Sequence, residues 1–240
     1  MSTTSIGMGT QDSAEREKFE NEVKRLTEAA QKAGVMLRLL GSLAFHVHCP
    51  HYGFLQAKLG RAYTDIDFAA YAQQAKQVRQ LLTGLGYSED REIFVVTEGS
   101  RAIFENPGSG LHVDVFYDKL DFCHVIRWDG RLETDWPTIP LAEMLLEKMQ
   151  IVKINEKDLI DTIMLFLEHG LGEVDAETIN VDHIAGLCAA DWGLWRTTTM
   201  NLAKVSQIAE TYPQLSAADK ATVANHVTNI LARLEADPNR

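Results

Sequence analysis

Two aspartates, Asp65 and Asp67, lie two residues apart in a stretch, residues 65–71, that is otherwise apolar and favours a β-strand. Residues i and i+2 of a strand project from the same face, so the two carboxylates are expected side by side. Like charges at this separation repel, and burying them without partners is costly. A divalent cation with oxygen ligands is the usual remedy. The pair therefore limits the chain to folds that present this strand face to a cation.

A second strand-like stretch, residues 111–117, carries one acid at its centre. Asp114 lies between Val113 and Val115, where the neighbouring side chains are expected to be buried. Three carboxylates on two strands are the ligands that a two-metal site for phosphoryl transfer needs. We therefore predict that Asp65, Asp67 and Asp114 bind Mg²⁺ or Mn²⁺, and that Asp114 also orients or deprotonates an acceptor hydroxyl.

The pair Gly41-Ser42 follows a predicted strand, Val35–Leu40, and precedes a predicted short helix, Leu43–His48. Such a junction offers free backbone N–H groups, a hydroxyl and the positive end of a helix dipole. Glycine also lets a phosphate approach the backbone closely. The pair predicts a phosphate cradle that faces the metal site.

Lysines near the start of the helical C-terminal part complete the predicted site. In nucleotidyl transfer, negative charge accumulates on the pyrophosphate leaving group, and a lysine is a suitable point charge to meet it. Lys148 and Lys153 are the candidates, and Lys153 is expected to be a surface charge. Asp161 is expected either on a helix surface or paired with Lys157, four residues earlier.

The order of these motifs resembles the nucleotidyltransferase superfamily that includes DNA polymerase β: Gly41-Ser42, then Arg61-x-x-Thr64-Asp65-x-Asp67, then His112-Val113-Asp114. Residues 145–150 followed by 156–161 are similar to the AbiEii/AbiGii-type toxin nucleotidyltransferases, which have a lysine on one helix and a basic-Asp-x-x-Asp segment on the next. The resemblance covers residues 37–167. It implies a palm-like sheet, Mg²⁺ and a nucleoside triphosphate donor.

Carried over by position, the resemblance implies that Lys148 contacts the nucleotide and that Asp158 lines the site, either as a base or by orienting Lys148. It also implies metal ligands at Asp65, Asp67 and Asp114, and nucleotide-binding positions at Gly41, Ser42, Arg61 and Thr64. The sequence departs from the family pattern in two places. The 22 residues between Ser42 and Asp65 include an insertion, and Lys157-Asp158 stands where the family usually has Arg-Asp. Both departures affect the identity of the acceptor more than metal binding.

Composition and charge narrow the class of protein. The chain is 45% hydrophobic and 24% charged, which is typical of a globular domain, and no apolar run approaches the roughly 18 residues of a membrane span. The net charge of −11 disfavours non-specific nucleic-acid binding. Three scattered cysteines indicate reduced thiols, so we expect a cytoplasmic protein without a membrane partner.

The pattern of elements predicts an α/β fold with a nucleotidyltransferase-like mixed sheet and flanking helices, followed by a C-terminal helical domain. The predicted divisions are a disordered tail at 1–11, a catalytic domain at 12–138 and a helical domain at 139–240. In the predicted catalytic domain, the further elements are helices at 12–33 and 75–85, strands at 93–97, 102–105, 124–128 and 131–134, and hairpin turns at 106–110 and 129–130. In the predicted helical domain, five helices are expected at 141–154, 157–169, 181–192, 195–212 and 217–236.

The sequence is compatible with several acceptors and with several classes of function. The acceptor is a tRNA end, a protein side chain or a small-molecule hydroxyl, and a toxin of this type would have an antitoxin partner. The alternatives are an aminoglycoside-type enzyme, whose cationic substrate an acidic cleft would suit, a nucleotide-binding module without turnover, and a structural helical protein. A zinc site in the cluster His46, His48, Cys49 and His51 is not expected, because the spacing spreads these residues over different helix faces.

Overall fold

The computed structural model describes residues 8–58 and 62–236, with the backbone alone for residues 8–12. Within these ranges the chain forms ten α-helices, one 3₁₀ turn (Ala72–Gln74) and nine short strands. The helices are α1 Met8–Ala33, α2 Gly41–His48, α3 Phe54–Lys58, α4 Ala75–Gly84, α5 Arg91–Val96, α6 Leu141–Met149, α7 Glu156–Glu168, α8 Val181–Ala190, α9 Trp192–Thr211 and α10 Ala217–Glu235. The strands are β1 Leu37–Leu40, β2 Ile66–Ala70, β3 Ser88–Asp90, β4 Arg101–Asn106, β5 Leu111–Tyr117, β6 Lys119–Asp121, β7 Val125–Arg127, β8 Leu171–Gly172 and β9 Ile179–Asn180.

The principal sheet has five strands in the order β1-β2-β5-β4-β3. Only the central pair, β2 and β5, is parallel, so the sheet is mixed, and the predicted α/β class with a mixed sheet and flanking helices is confirmed. The parallel register places Asp67 directly opposite Asp114, and the antiparallel register of β1 places Leu40 opposite Asp67.

The two faces of the central strands differ in character. Ile66 and Phe68 of β2 and Val113 and Val115 of β5 are fully buried in the hydrophobic core, on the face opposite to the aspartates. Helix α1 contacts β1 and α4. The aspartate face is flanked by α2, which follows β1 without a linker, and by α6.

The helical part packs against the aspartate side of the sheet domain. All nine residues of α6 are buried, and α6 and α7 both contact α2. One continuous set of buried apolar side chains extends from α1 to α10. Apart from the two-residue strands β8 and β9, the change from strands to helices occurs near Pro140, where the sequence predicts it, but the core is not interrupted there.

Two predicted strands are wrong. Residues 93–97 were expected as a strand but belong largely to α5, because the Asp90 side chain accepts hydrogen bonds from the N–H groups of Glu92 and Ile93 and so begins a helix. Residues 131–134 form turns instead of a strand, and β7 pairs with β6. The Asp129-Gly130 pair therefore makes a turn but no hairpin.

Other boundaries shift slightly. Helix α1 begins at Met8, four residues before the predicted start, and α6 ends at Met149 instead of residue 154. The remainder of the predicted tail, residues 1–7, lies outside the described residues. In the described part of the chain, no helix has the length and apolar character needed to cross a membrane.

Candidate active site

The junction between β1 and α2 brings the backbone against an aspartate. Gly41 has φ +72°, a conformation that side chains other than glycine rarely adopt. A Cβ atom at this position would overlap Oδ2 of Asp67. The glycine that the sequence suggested for a phosphate cradle therefore lets the Asp67 carboxylate approach the start of α2.

Asp67 has a strongly perturbed carboxyl group. Its half-buried carboxylate has Asp114 beside it on β5 and Asp65 two residues earlier, and no described residue donates a hydrogen bond to it. Burial first, and then the charges of Asp65, Asp114 and Glu147, raise the pKa of Asp67 to about 8, against the opposing effect of Lys148. Such a carboxylate favours a nearby cation.

Asp114 has a partner that the sequence analysis missed. Arg101 of β4 donates from Nε to both carboxylate oxygens of Asp114, at 2.9 Å each, and from Nη2 to Oδ2. The guanidinium also lies over the Phe116 ring, 5.3 Å from its centroid. Burial raises the pKa of Asp114, and the hydrogen bonds from Arg101 counteract this shift. The third carboxylate is therefore engaged by a guanidinium.

A fourth carboxylate, Glu147 of α6, also lines the site. Its Oε2 accepts a hydrogen bond of 3.1 Å from the Gly41 N–H, which ties α6 to the β1–α2 junction. Its Oε1 lies 3.4 Å from Nζ of Lys148, and burial raises the pKa of Glu147. The sequence contained a signal for this residue, since Glu147 and Lys148 are adjacent charges in a helix whose other residues, apart from Glu143, are apolar.

Lys148 is nearly buried and is surrounded by acids. Besides Glu147, its Nζ lies 3.4 Å from Oδ1 of Asp158 and 3.3 Å from Oδ2 of Asp161. The contact with Asp158 is the one expected of a residue that orients Lys148. Asp161, expected at the surface or paired with Lys157, is instead fully buried and accepts a hydrogen bond of 2.8 Å from Gln56. Lys153 is exposed, as expected.

These groups enclose a pocket of about 230 Å³. One wall is charged, and the other is apolar and includes Phe122, which is 58% exposed and packs edge-to-face on Phe116. The lining residues are Leu40, Gly41, Asp65, Asp67, Arg101, Asp114, Phe116, Leu120, Phe122, Glu147, Lys148 and Ile151. The four carboxylates and two basic groups in this lining leave a formal charge of −2 when all are ionised, which favours binding of a cation.

The remaining predicted site residues lie elsewhere. Ser42 is in the first turn of α2 and Thr64 donates a hydrogen bond to Oδ1 of Asp65, but neither lines the pocket. Asp158 is behind Lys148 and does not line the pocket either. Arg61 lies outside the described residues.

The histidine cluster near Pro50 is dispersed, and none of its members lines this pocket. His46 pairs with Glu20 at 2.7 Å, while His48 contacts Thr138 and His51 contacts Glu168, both at 2.5 Å. Cys49 is buried, and burial raises the pKa of its thiol. Each ring therefore points to a different partner.

The residues fit one part of the predicted metal site and not the other. Across residues 8–58 and 62–236, no group of three or more His, Cys, Asp or Glu side chains is arranged to hold a metal ion. Asp65 and Asp67 offer the carboxylate oxygens that a hard divalent cation prefers, on the charged wall of the pocket. Asp114 does not fit as a ligand, because both of its oxygens accept hydrogen bonds from Arg101.

Three comparisons with known proteins gave no match. No family model matches the sequence, and neither the curated proteins nor the solved structures include a significantly similar chain. Any assignment of chemistry to the pocket therefore depends on its own residues.

Proposed function

We propose that the protein is a metal-dependent nucleotidyltransferase, which transfers a nucleoside monophosphate from an NTP to a hydroxyl acceptor. The observation that carries this proposal is the convergence of Asp65, Asp67 and Asp114 on one pocket wall, beside the point where Gly41 begins a helix. Adjacent strands that supply carboxylates next to a helix N-terminus are suited to binding a triphosphate together with a cation.

In the proposed reaction, the acceptor oxygen bonds to the α-phosphorus of the NTP and the bond from that phosphorus to the pyrophosphate oxygen breaks. Pyrophosphate leaves with the electron pair, and the hydroxyl proton passes to a pocket carboxylate or to water. A divalent cation, Mg²⁺ or Mn²⁺, held by Asp65 and Asp67 would neutralise phosphate charge and make the acceptor hydroxyl more acidic.

The other residues of the pocket supply position and charge. Gly41 keeps the start of α2 close to the carboxylates, and Glu147 holds α6 against it through the Gly41 N–H. Lys148 adds positive charge at the pocket wall while Asp158 and Asp161 orient its ammonium group. The apolar wall, with the exposed Phe122 ring, is suited to stacking against a nucleobase.

The acceptor is proposed only as a class, a hydroxyl on a tRNA end, a protein side chain or a small molecule. The net acidity of the pocket wall favours a cationic small molecule such as an aminoglycoside over a polyanionic tRNA. A toxin-type role would add an antitoxin partner.

A second candidate is a nucleotide-binding module without turnover. One observation favours it. Both oxygens of Asp114, the carboxylate that would act on the acceptor, accept hydrogen bonds from Arg101. Binding without transfer of a labelled nucleotide would support this candidate.

The test is calorimetric binding and thermal melting with Mg²⁺ plus each of ATP, GTP, CTP and UTP. A ligand specific for the native state raises stability by about 2.7 kcal/mol at a hundredfold excess over its Kd. We expect a metal-dependent rise for at least one NTP in the wild type, and its loss in Asp67→Asn.

The matched control is Asp129→Asn, which changes an exposed turn aspartate outside this pocket and should leave binding intact. An NTP that binds to the wild type would then be used in labelled form to measure transfer to tRNA, protein and aminoglycoside acceptors. Absence of metal-dependent binding for all four NTPs would contradict the proposed function.

A further inference from the structure

Arg101 lies where a two-metal site would need a second cation. In such a site the third carboxylate shares its oxygens with a metal ion, but in this protein both oxygens of Asp114 accept hydrogen bonds from Arg101. Charge-assisted bidentate pairs of this kind are among the stronger hydrogen-bonded contacts in proteins. A divalent ion at Asp114 would have to displace the guanidinium.

Three features hold Arg101 in this position. The register of β4 and β5 places it opposite Phe116, two residues from Asp114 on the same face. Its guanidinium lies over the Phe116 ring, which is itself almost fully buried. Its partner Asp114 is only 5% exposed, so moving Arg101 away would leave a buried carboxylate without its cation.

The guanidinium also faces the ligand space. Arg101 lines the same pocket as Asp65 and Asp67, and its side chain is 40% exposed. Nε and Nη2 are used on Asp114, whereas Nη1 donates to no acceptor among the described residues. A guanidinium with N–H groups directed to solvent in a pocket is suited to binding a phosphate oxygen.

We infer that Arg101 takes the place of the second metal ion, so that this site binds its nucleotide with one divalent cation. This inference rests on the proposed function and specifies how the negative charge of the site is balanced. Arg101 neutralises Asp114, presents its remaining N–H groups to the phosphates or the acceptor, and repels a second divalent ion from the Asp114 position. Asp65 and Asp67 hold the single cation.

The test counts Mn²⁺ ions in the complex. Wild-type protein is saturated with a non-hydrolysable α,β-methylene analogue of each NTP, and the bound Mn²⁺ is measured by electron paramagnetic resonance and by calorimetry. We expect one Mn²⁺ per protein–nucleotide complex in the wild type, in Arg101→Lys, which retains the charge, and in Asp114→Asn. We expect two in Arg101→Gln, in which Asp114 is free to bind metal.

Two bound ions in the wild type, falling to one in Asp114→Asn, would overturn the inference and leave the proposed function standing. No bound Mn²⁺ with any analogue would overturn the proposed function and this inference with it. Should Arg101→Gln fail to fold, the wild-type and Asp114→Asn counts still decide between one cation and two.

Discussion

The contact between Gly41 and Asp67 shows how a single residue sets the dimensions of the pocket. A Cβ at position 41 would overlap the Asp67 carboxylate, and the φ of +72° disfavours any L side chain. Gly34 offers a comparison, because it has φ +66° but has nothing within 4 Å of an added Cβ. The two glycines share a positive φ and differ in their surroundings.

We therefore predict that Gly41→Ala destabilises the protein by about 3 kcal/mol or more, whereas Gly34→Ala costs about 1–2 kcal/mol. Gly41→Ala costs more because its Cβ would displace the Asp67 carboxylate. For the same reason, only Gly41→Ala should also weaken metal-dependent NTP binding. Urea unfolding of both variants measures the free energies. Equal losses in the two variants would contradict a steric role for Gly41.

His48 gives a pH dependence at the residue scale. Burial first, and then the neighbouring His169, lower the pKa of His48 to about 4, while Asp135 lies 3.6 Å from its Nε2. A histidine with a lowered native pKa contributes stability above its unfolded pKa of about 6.5, and this contribution is lost as the pH falls toward 4.

In His48→Gln, the acid-sensitive part of the unfolding free energy between pH 6.5 and 4 should shrink by up to roughly 3 kcal/mol. Asp135, whose pKa burial raises to about 6, has the opposite pH dependence and is retained in both proteins. The difference between the two unfolding curves, measured in urea at several pH values, therefore isolates His48. Parallel curves would show that His48 does not change protonation between the folded and unfolded states.

Helix α6 is the element on which the site and the core depend together. All of its residues are buried, yet it carries Glu147 and Lys148 side by side. The burial of these charges is tolerated because Lys148 lies within 3.4 Å of three carboxylates on α6 and α7. The two helices are thus joined by a charge cluster as well as by apolar packing.

We predict that Lys148→Met destabilises the protein by about 3 kcal/mol at pH 8, because it leaves Glu147, Asp158 and Asp161 without their shared cation. The matched control, Lys153→Met, removes an exposed lysine a few residues later and should change stability by less than about 0.5 kcal/mol. Thermal and urea unfolding compare them. Similar effects of the two substitutions would contradict a structural role for the cluster.

At the scale of the whole molecule, the boundary near Pro140 separates two kinds of secondary structure without separating two cores. Residues 137–139 pair with Leu39 of β1: the Leu39 N–H donates to Pro137 O, and the Ile139 N–H donates to Leu39 O. Helices α6 and α7 then cover α2, whose Leu43, Ala44 and Phe45 are buried. The sheet and the helical part therefore share one hydrophobic core.

We therefore predict that a fragment of residues 1–138 does not fold cooperatively, since it lacks the helices that bury α2. Circular dichroism melting and the dispersion of its amide NMR spectrum would measure this, with the full-length chain as control. A sharp melting transition and a dispersed spectrum would instead support the division into independent domains at 138.

Much of this protein follows from the sequence because it depends on local periodicity. The apolar period of the helices after Pro140 and the alternation around Asp67 and Asp114 predict these elements and their order. Asp90 illustrates the limit: residues 93–97 are rich in β-branched residues, but the capping side chain begins a helix there. Likewise, the Asp129-Gly130 turn predicts a hairpin between the strands on either side of it. In the structure, the strand before the turn, β7, pairs instead with the preceding strand, β6.

The order of residues is enough to identify the available carboxylates and to place Asp65 and Asp67 on one strand face, because side-chain alternation is a property of the local backbone. The surroundings of these carboxylates depend on how distant parts of the chain pack together. Strand order and register place Asp114 beside Asp67 and within reach of Arg101, and helix packing brings Glu147 to the Gly41 N–H. These partners are 13 and 106 residues apart in the chain, and contacts at such separations arise from packing that no local pattern encodes.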